Sequence, residues 1–210
     1  MKRKKCIKKK KILSFILLPL IAILFLWFIF LFVLYLIITP YTVKGHSMEN
    51  TLLENEKIAT YSYKKKFKRG DILTIKKEGM KNCPENEKNE ILIKRAVAVS
   101  GDKIAFVINN NYVDFCIKEG EKWNIIKEPY VAQPMAIDSF DGCPYLYNSI
   151  DDIIEGFIIE ENQVFIMGDN RNNSFDSRKY GTFNVDYVCN IFWFNISQKP
   201  FFNFIYSFFL

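Results

Sequence analysis

Ser47 is the residue around which a chemical reading of this chain forms. It stands in the run Gly45-His46-Ser47-Met48, a glycine-led turn, and a serine oxygen becomes a useful nucleophile once a base takes its proton. The single histidine of the chain, His46, immediately precedes it. Adjacent residues of an extended segment point to opposite faces, so His46 is badly placed to serve Ser47 and reads as a surface residue of a turn. A neutral lysine is the other base available to such a serine. Its pKa must fall from about 10.4 toward about 7–8, and burial among apolar groups is the direct route. Most lysines here lie in polar runs. Lys94 differs: Ile91, Leu92 and Ile93 precede it, and Ala96, Val97, Ala98 and Val99 follow. In a strand Lys94 shares a face with Leu92 and Ala96, while Ile93 and Arg95 point the other way. The same stretch also suits an edge lysine whose stem packs and whose head reaches water.

A third polar group falls in residues 168–181, which hold Asp169, Asn170, Arg171, Ser174, Asp176 and Arg178. Such a loop builds hydrogen-bond and ion-pair networks, with Asp176–Arg178 or Asp169–Arg171 as the charge-assisted pairs. A cation-binding turn would want more carboxylates at alternating positions. No metal and no organic cofactor is expected.

The elements that must carry these groups begin with a membrane segment. Residues 12–38 are almost wholly apolar and free of charge. At about 1.5 Å per residue they reach about 40 Å, more than the ~30 Å of bilayer hydrocarbon. The run is too long for a cleaved leader and lacks a small-residue cleavage site, so it reads as a retained anchor. The net charge is +6, but eight basic residues lie within residues 1–11 and the rest is near neutral. Beside an apolar helix such a cluster fixes orientation rather than binding nucleic acid, which places residues 1–11 in the cytoplasm and residues 39–210 outside.

After the anchor, residues 56–63, 72–75, 91–99, 164–167 and 186–196 read as strands, with turns at Arg69-Gly70-Asp71 and Ser100-Gly101-Asp102. Residues 104–108 and 112–115 read as a hairpin joined by asparagines suited to positive φ. The remainder of residues 104–163 reads as a variable insertion. The fold class is therefore mainly β, an antiparallel domain on one N-terminal transmembrane helix. Cys83, Cys116, Cys143 and Cys189 fall outside the membrane and could form two disulfides in three ways, or pack unpaired.

The motifs together resemble bacterial type I signal peptidases, the Ser/Lys membrane proteases. They are Gly45-x-Ser47-Met48-x-x-Thr51-Leu52, Arg69-Gly70-Asp71, Lys94-Arg95-Ala96-Val97-x-x-x-Gly101-Asp102, and Gly168-Asp169-Asn170-Arg171-x-x-Ser174-x-Asp176-Ser177-Arg178-x-x-Gly181. The resemblance implies Ser47 as nucleophile, Lys94 as general base, and Ser174 as the group that orients the lysine amine. It implies supporting roles for Asp176, Arg178, Asp169 and Arg171, and an oxyanion contact from the Ser47 N–H. A substrate strand would lie beside the segments of Val43 and Ile93, and the partners would be signal peptides of exported preproteins and membrane lipid. Gly45 stands where some members carry a second oxyanion serine, Asn50 where proline is usual, and Ala98 and Ser100 where glycine and proline are usual. A peptidase dedicated to one secretion or conjugation system, a self-processing protein, and a non-enzymatic anchored binding module are the alternatives. Ser47 follows Ile38 by nine positions, at most about 30 Å of extended chain. The active face should therefore lie near the lipid headgroups, with Phe201, Phe202 and Phe204 as a second contact.

Overall fold

A computed structural model describes residues 2–62, 66–80, 83–140 and 145–199, with side chains described at Phe15 and from Leu17 onward. The chain divides into two units, Met1–Thr39 and Pro40–Leu210. In the first, helix α1 (Lys2–Ile37) contains Pro19, and its portion Leu17–Ile37 is long and apolar enough to cross a bilayer.

The second unit is built from strands β1 (Ile38–Thr42, straddling the division), β2 (Lys57–Tyr61), β3 (Ile72–Lys76), β4 (Ile91–Val99), β5 (Lys103–Asn109), β6 (Tyr112–Glu119), β7 (Lys122–Ile125), β8 (Met135–Ala136), β9 (Leu146–Tyr147), β10 (Phe157–Ile158), β11 (Gln163–Met167), β12 (Phe183–Asn184) and β13 (Val188–Asn195). One sheet has the order β1-β2-β13-β3-β4-β11-β12, and a second has β10-β5-β6-β7 with β8 on β6 and β9 on β5. Only the β5–β9 pairing is parallel among those described. The mainly antiparallel β class expected from the sequence is the one observed.

Turn chemistry sets the register of both sheets. Gly70 (φ 92) and Gly101 (φ 89) take left-handed backbone at the two ends of the β3–β4 region, where a side chain would be strained. Asn110 (φ 57) closes the β5–β6 hairpin, so the asparagine run does the expected work. The β4–β11 ladder slips between Phe165 and Ile166, leaving Val97 as an extra residue two positions beyond Arg95.

Residues 104–163 supply most of the second sheet. Their core, Ile104, Phe106, Val113, Phe115, Ile117, Met135 and Phe140, is continuous with Val97 and Ala98 of β4 and Phe165 and Met167 of β11. Phe106 is completely buried, with the Phe140 ring 4.7 Å away between centroids. The final strand starts at Val188, two residues later than expected, because residues 185–187 form a 3-10 turn capped by Asn184 Oδ1. Cys83, Cys116 and Cys189 are free thiols, so packing cysteines replace the two-disulfide alternative. Cys143 and the tail with Phe201, Phe202 and Phe204 lie outside the described residues.

Candidate active site

The turn that carries Ser47 is fixed by its apolar neighbours. Met48 and Leu52, each 1% exposed, are buried with Val43, Ile58 and Ile72 in a core cluster of their own. Main-chain bonds from Thr51 and Leu52 to the Met48 carbonyl (3.1 and 2.8 Å) and from Glu49 to that of His46 (3.1 Å) close the turn. Asn50 closes it at φ 78, a conformation proline cannot take, so this turn departs in geometry as well as sequence from the motif it resembles.

Lys94 comes from the middle of β4, where it faces Leu73 of β3. It is 4% exposed, and its Nζ hydrogen-bonds Ser47 Oγ. Burial pushes its pKa down to about 8, against a smaller pull upward from Asp176 and Asp169 and a push downward from Arg178. His46 turns away instead. Its Nδ1 lies 2.6 Å from Glu49 Oε1 and its Nε2 lies 3.5 Å from Glu54 Oε2. The hydrogen bond to Glu49, with the charges of Glu49 and Glu54, holds its pKa above the ordinary value. Both ring nitrogens thus face carboxylates rather than Ser47, although residues 46–50 form a bend and turn and not the extended segment on which the opposite-face expectation rested.

Residues 168–181 brace this pair. Asp176 accepts from Arg178 Nε (2.9 Å) and Nη2 (2.9 Å), from the Arg178 amide (3.2 Å) and from the Gly168 amide (3.0 Å). Burial, the largest single influence, would raise the Asp176 pKa, but its hydrogen-bonding and charged neighbours, Arg178 first among them, together hold the carboxyl below its ordinary value. Gly168 has no room for a side chain, since a Cβ there would collide with Ser174 and with the Ser47 carbonyl. The Asn170 amide donates to that same carbonyl at 3.1 Å, and Asn170 Nδ2 donates to the His46 carbonyl at 3.1 Å. Ser174 Oγ is buried and makes no hydrogen bond among the described residues, so the expected contact with the lysine amine is not formed.

The Asp169–Arg171 pairing expected from the sequence is replaced by two others. Asp169 accepts from Arg95 Nε (2.8 Å) and Nη2 (2.5 Å) and from Thr51 Oγ1 (2.5 Å). Arg171 instead meets Glu128, Nη1 to Oε2 at 2.5 Å and Nη2 to Oε1 at 2.6 Å. The reason is position on the strands. Arg95 follows Lys94 on the opposite face of β4 and pairs with Met167, two residues before Asp169.

A groove of about 740 Å³ leads to Ser47 and Lys94, lined by residues 40–44 on one side and 89–94 on the other. Val43 and Ile93 both line it, although Val43 is itself 1% exposed. The main chain of Val43 is taken by Glu56 and Asn55 at 2.9 Å each, so the flanking amides of Thr42 and Lys44 point the other way. On the opposite wall β11 pairs with β4 only from Arg95 onward. On that side residues 91–94 have no strand partner among the described residues, whereas their other edge pairs with β3.

The sequence matches the family described as "Signal peptidase, peptidase S26" over residues 12–194. The chain belongs to that family. It is similar to signal peptidase I of Bacillus amyloliquefaciens, 34% identical over 143 residues, covering 66% of this chain and 64% of that protein. Signal peptidase I P of Bacillus subtilis subsp. natto is 32% identical over 149 residues, covering 69% of each chain. Signal peptidase IB of Staphylococcus aureus (strain N315) is 28% identical over 156 residues, covering 71% of this chain and 73% of that one. The matched part spans a little under two thirds of the first of these relatives, at 64%.

Within this peptidase S26 chain, Arg95, Thr51 and Asn170 brace the site, roles that their places in the sequence motifs do not by themselves reveal. Arg95 carried a usable signal, since a guanidinium in an apolar strand requires a carboxylate somewhere. Glu128 and Tyr130 carried none, lying in residues 127–131 where no hydrophobic period exists.

Proposed function

We propose that this chain is a membrane-anchored serine endopeptidase that removes N-terminal signal peptides from exported preproteins, with Ser47 as nucleophile and Lys94 as general base. The observation that carries this reading is the Lys94 Nζ–Ser47 Oγ bond, made by a lysine whose pKa lies near 8. A fraction of Lys94 is then neutral at physiological pH, as a base must be. Ser47 Oγ–H gives its proton to the neutral amine while the oxygen attacks the carbonyl carbon of the scissile peptide. The Ser47 N–H takes part of the charge on the oxyanion. Collapse breaks the C–N bond, and the Lys94 ammonium returns the proton to the departing amine. Water then gives a proton to Lys94 and attacks the acyl carbon; the C–O bond to Ser47 breaks, and the Lys94 ammonium returns the proton to the departing Ser47 oxygen.

The substrate adds as an extended strand between residues 40–44 and 91–94, pairing main chain to main chain. Ser174, Asp176, Arg178 and Asp169 support the pair without touching the reacting atoms. Residues 12–38 anchor the enzyme in the cytoplasmic membrane, with residues 1–11 inside and residues 39–210 outside, a topology supported by the basic cluster. Membrane lipid is then a partner and nucleic acid is not. Anchoring enzyme and substrate in one bilayer raises their effective concentration.

The test incubates detergent-solubilised full chain with a preprotein and sequences the new N-terminus. Wild type should cut at one site after a small residue, and Ser47→Ala should leave the preprotein intact. Equal cutting by Ser47→Ala, or none by wild type, would overturn the assignment.

A further inference from the structure

The buried Glu128–Arg171 pair joins two parts of the fold that the reaction does not otherwise need to connect. Glu128 lies in the irregular connection between β7 and β8, while Arg171 belongs to the loop that braces Ser47 and Lys94. Their side chains are 8% and 0% exposed, and the contact is two-pronged. Tyr130, from the same connection, donates its hydroxyl to Glu128 Oε1 at 2.7 Å and sets its ring 3.9 Å from Arg95 Cζ. One short segment of the second sheet therefore holds both Arg171 and Arg95.

From Arg171 the contacts run inward. Its Nε donates to the Gly168 carbonyl at 3.0 Å, and its own carbonyl accepts from Arg178 Nη2 at 2.7 Å. Gly168 is the residue packed against Ser174 and the Ser47 carbonyl, and its amide bonds Asp176. We propose that Glu128 is a positioning residue for the Ser47–Lys94 pair, acting through Arg171 on the Gly168 turn. Glu128 holds this role only if Ser47 and Lys94 are the catalytic pair proposed above. An uncompensated guanidinium is strongly disfavoured in the interior, so without Glu128 the Arg171 side chain leaves for water and releases the Gly168 carbonyl. Water then reaches Lys94, whose charged neighbours are Asp169, Asp176 and Arg178 and whose hydrogen-bond partner is Ser47. The substrate groove, lined by residues 40–44 and 89–94, contains neither partner of the Glu128–Arg171 pair.

The experiment compares wild type, Glu128→Gln, Tyr130→Phe and Ile104→Val in the full chain, following kcat and KM for a preprotein from about pH 6 to about pH 11. Ile104 is fully buried in the second-sheet core and takes part in none of the ion pairs or side-chain hydrogen bonds described above, so its variant is the control for stability loss. Glu128→Gln should lower kcat at neutral pH about tenfold and move the ascending limb up by about one pH unit, as a rehydrated lysine requires. Its KM should stay within about twofold of wild type. Tyr130→Phe keeps the ring over Arg95, loses the bond to Glu128, and should shift the limb the same way by less. Ile104→Val should lower the melting temperature and leave the limb in place. A limb unmoved in Glu128→Gln overturns the proposal, and Tyr130→Phe decides it alone if Glu128→Gln fails to fold. Should wild type leave the preprotein uncut, the functional reading falls. The pH dependence of Lys94 labelling by an amine reagent in the same variants then still decides whether Glu128 governs the environment of Lys94.

Discussion

Lys77, at the end of β3, and Lys94, in the neighbouring strand β4, are both largely covered, yet the protein treats them in opposite ways. Lys77, just past the end of β3, bonds Glu87 and lies 3.1 Å from Glu90, and the hydrogen bond to Glu87 above all raises its pKa. Lys94 has no carboxylate in contact, and burial lowers its pKa to about 8. Carboxylates are not scarce around it. Asp169 and Asp176 both act on it, but each is already occupied by an arginine, Arg95 or Arg178. Covering a lysine is therefore not enough to lower its pKa. The nearby acids must also be engaged elsewhere, and Arg95 and Arg178 do that.

The sharpest way to break this contrast is to make both residues arginine. A guanidinium stays protonated in a protein, so Lys94→Arg should lose about 10²- to 10⁴-fold in preprotein cleavage, the range of general-base catalysis. Lys77→Arg should stay within about threefold, since it needs only a cation. Comparable turnover in Lys94→Arg would sink the Ser/Lys mechanism.

Removing the charge from Asp176 strands Arg178 in the interior. Asp176→Asn should cost about 3–5 kcal/mol in urea unfolding. The Asp176 pKa is depressed in the folded state, so its contribution is present above the ordinary carboxylate value and fades as pH falls through the depressed one. Wild type and Asp176→Asn should therefore converge in acid.

Lys94 itself should be a liability to stability. Its folded pKa of about 8 lies below the ordinary 10.5, so the cost is fully present below pH 8 and vanishes as pH rises through 10.5. At roughly 1.4 kcal/mol per unit the cost is about 3 kcal/mol. Lys94→Met should melt higher than wild type near neutrality, with the gain lost at high pH, whereas Lys77→Met should melt lower. A Lys94→Met protein no more stable than wild type would show that the amine is not desolvated.

The smallest expected effect belongs to His46. His46→Ala should leave the ascending limb near the Lys94 value, because its ring nitrogens face Glu49 and Glu54 rather than Ser47. A limb that moves with His46 would transfer the base role to the imidazole.

Some of this was readable before any coordinates. Residues 91–99 form β4 as expected, because an apolar run flanked by turn residues leaves few alternatives. Ser47 and Lys94 were paired from chemical need and resemblance, and the fold brings them together. The second sheet was largely hidden, since β8, β9 and β10 are two residues each and carry no period. Partner choice was hidden too. Asp169 meets Arg95 across 74 positions and Arg171 meets Glu128 across 43, distances over which local pattern says nothing. Local spacing offers Asp176–Arg178 or Asp169–Arg171; the first forms, and strand register gives Asp169 and Arg171 other partners.

The free thiols of Cys83, Cys116 and Cys189 have a practical corollary. None of these three residues needs an oxidant to complete the packing around it, so their parts of the fold should mature equally well under reducing and oxidising conditions. Cys116 is fully buried and its thiol is pushed up to about 11, which leaves almost no thiolate near neutrality. Alkylating reagents that trap thiolates should pass it by. A covalent probe aimed at Ser47 can therefore be used in the presence of reductant, with the redox state of these residues removed as a variable.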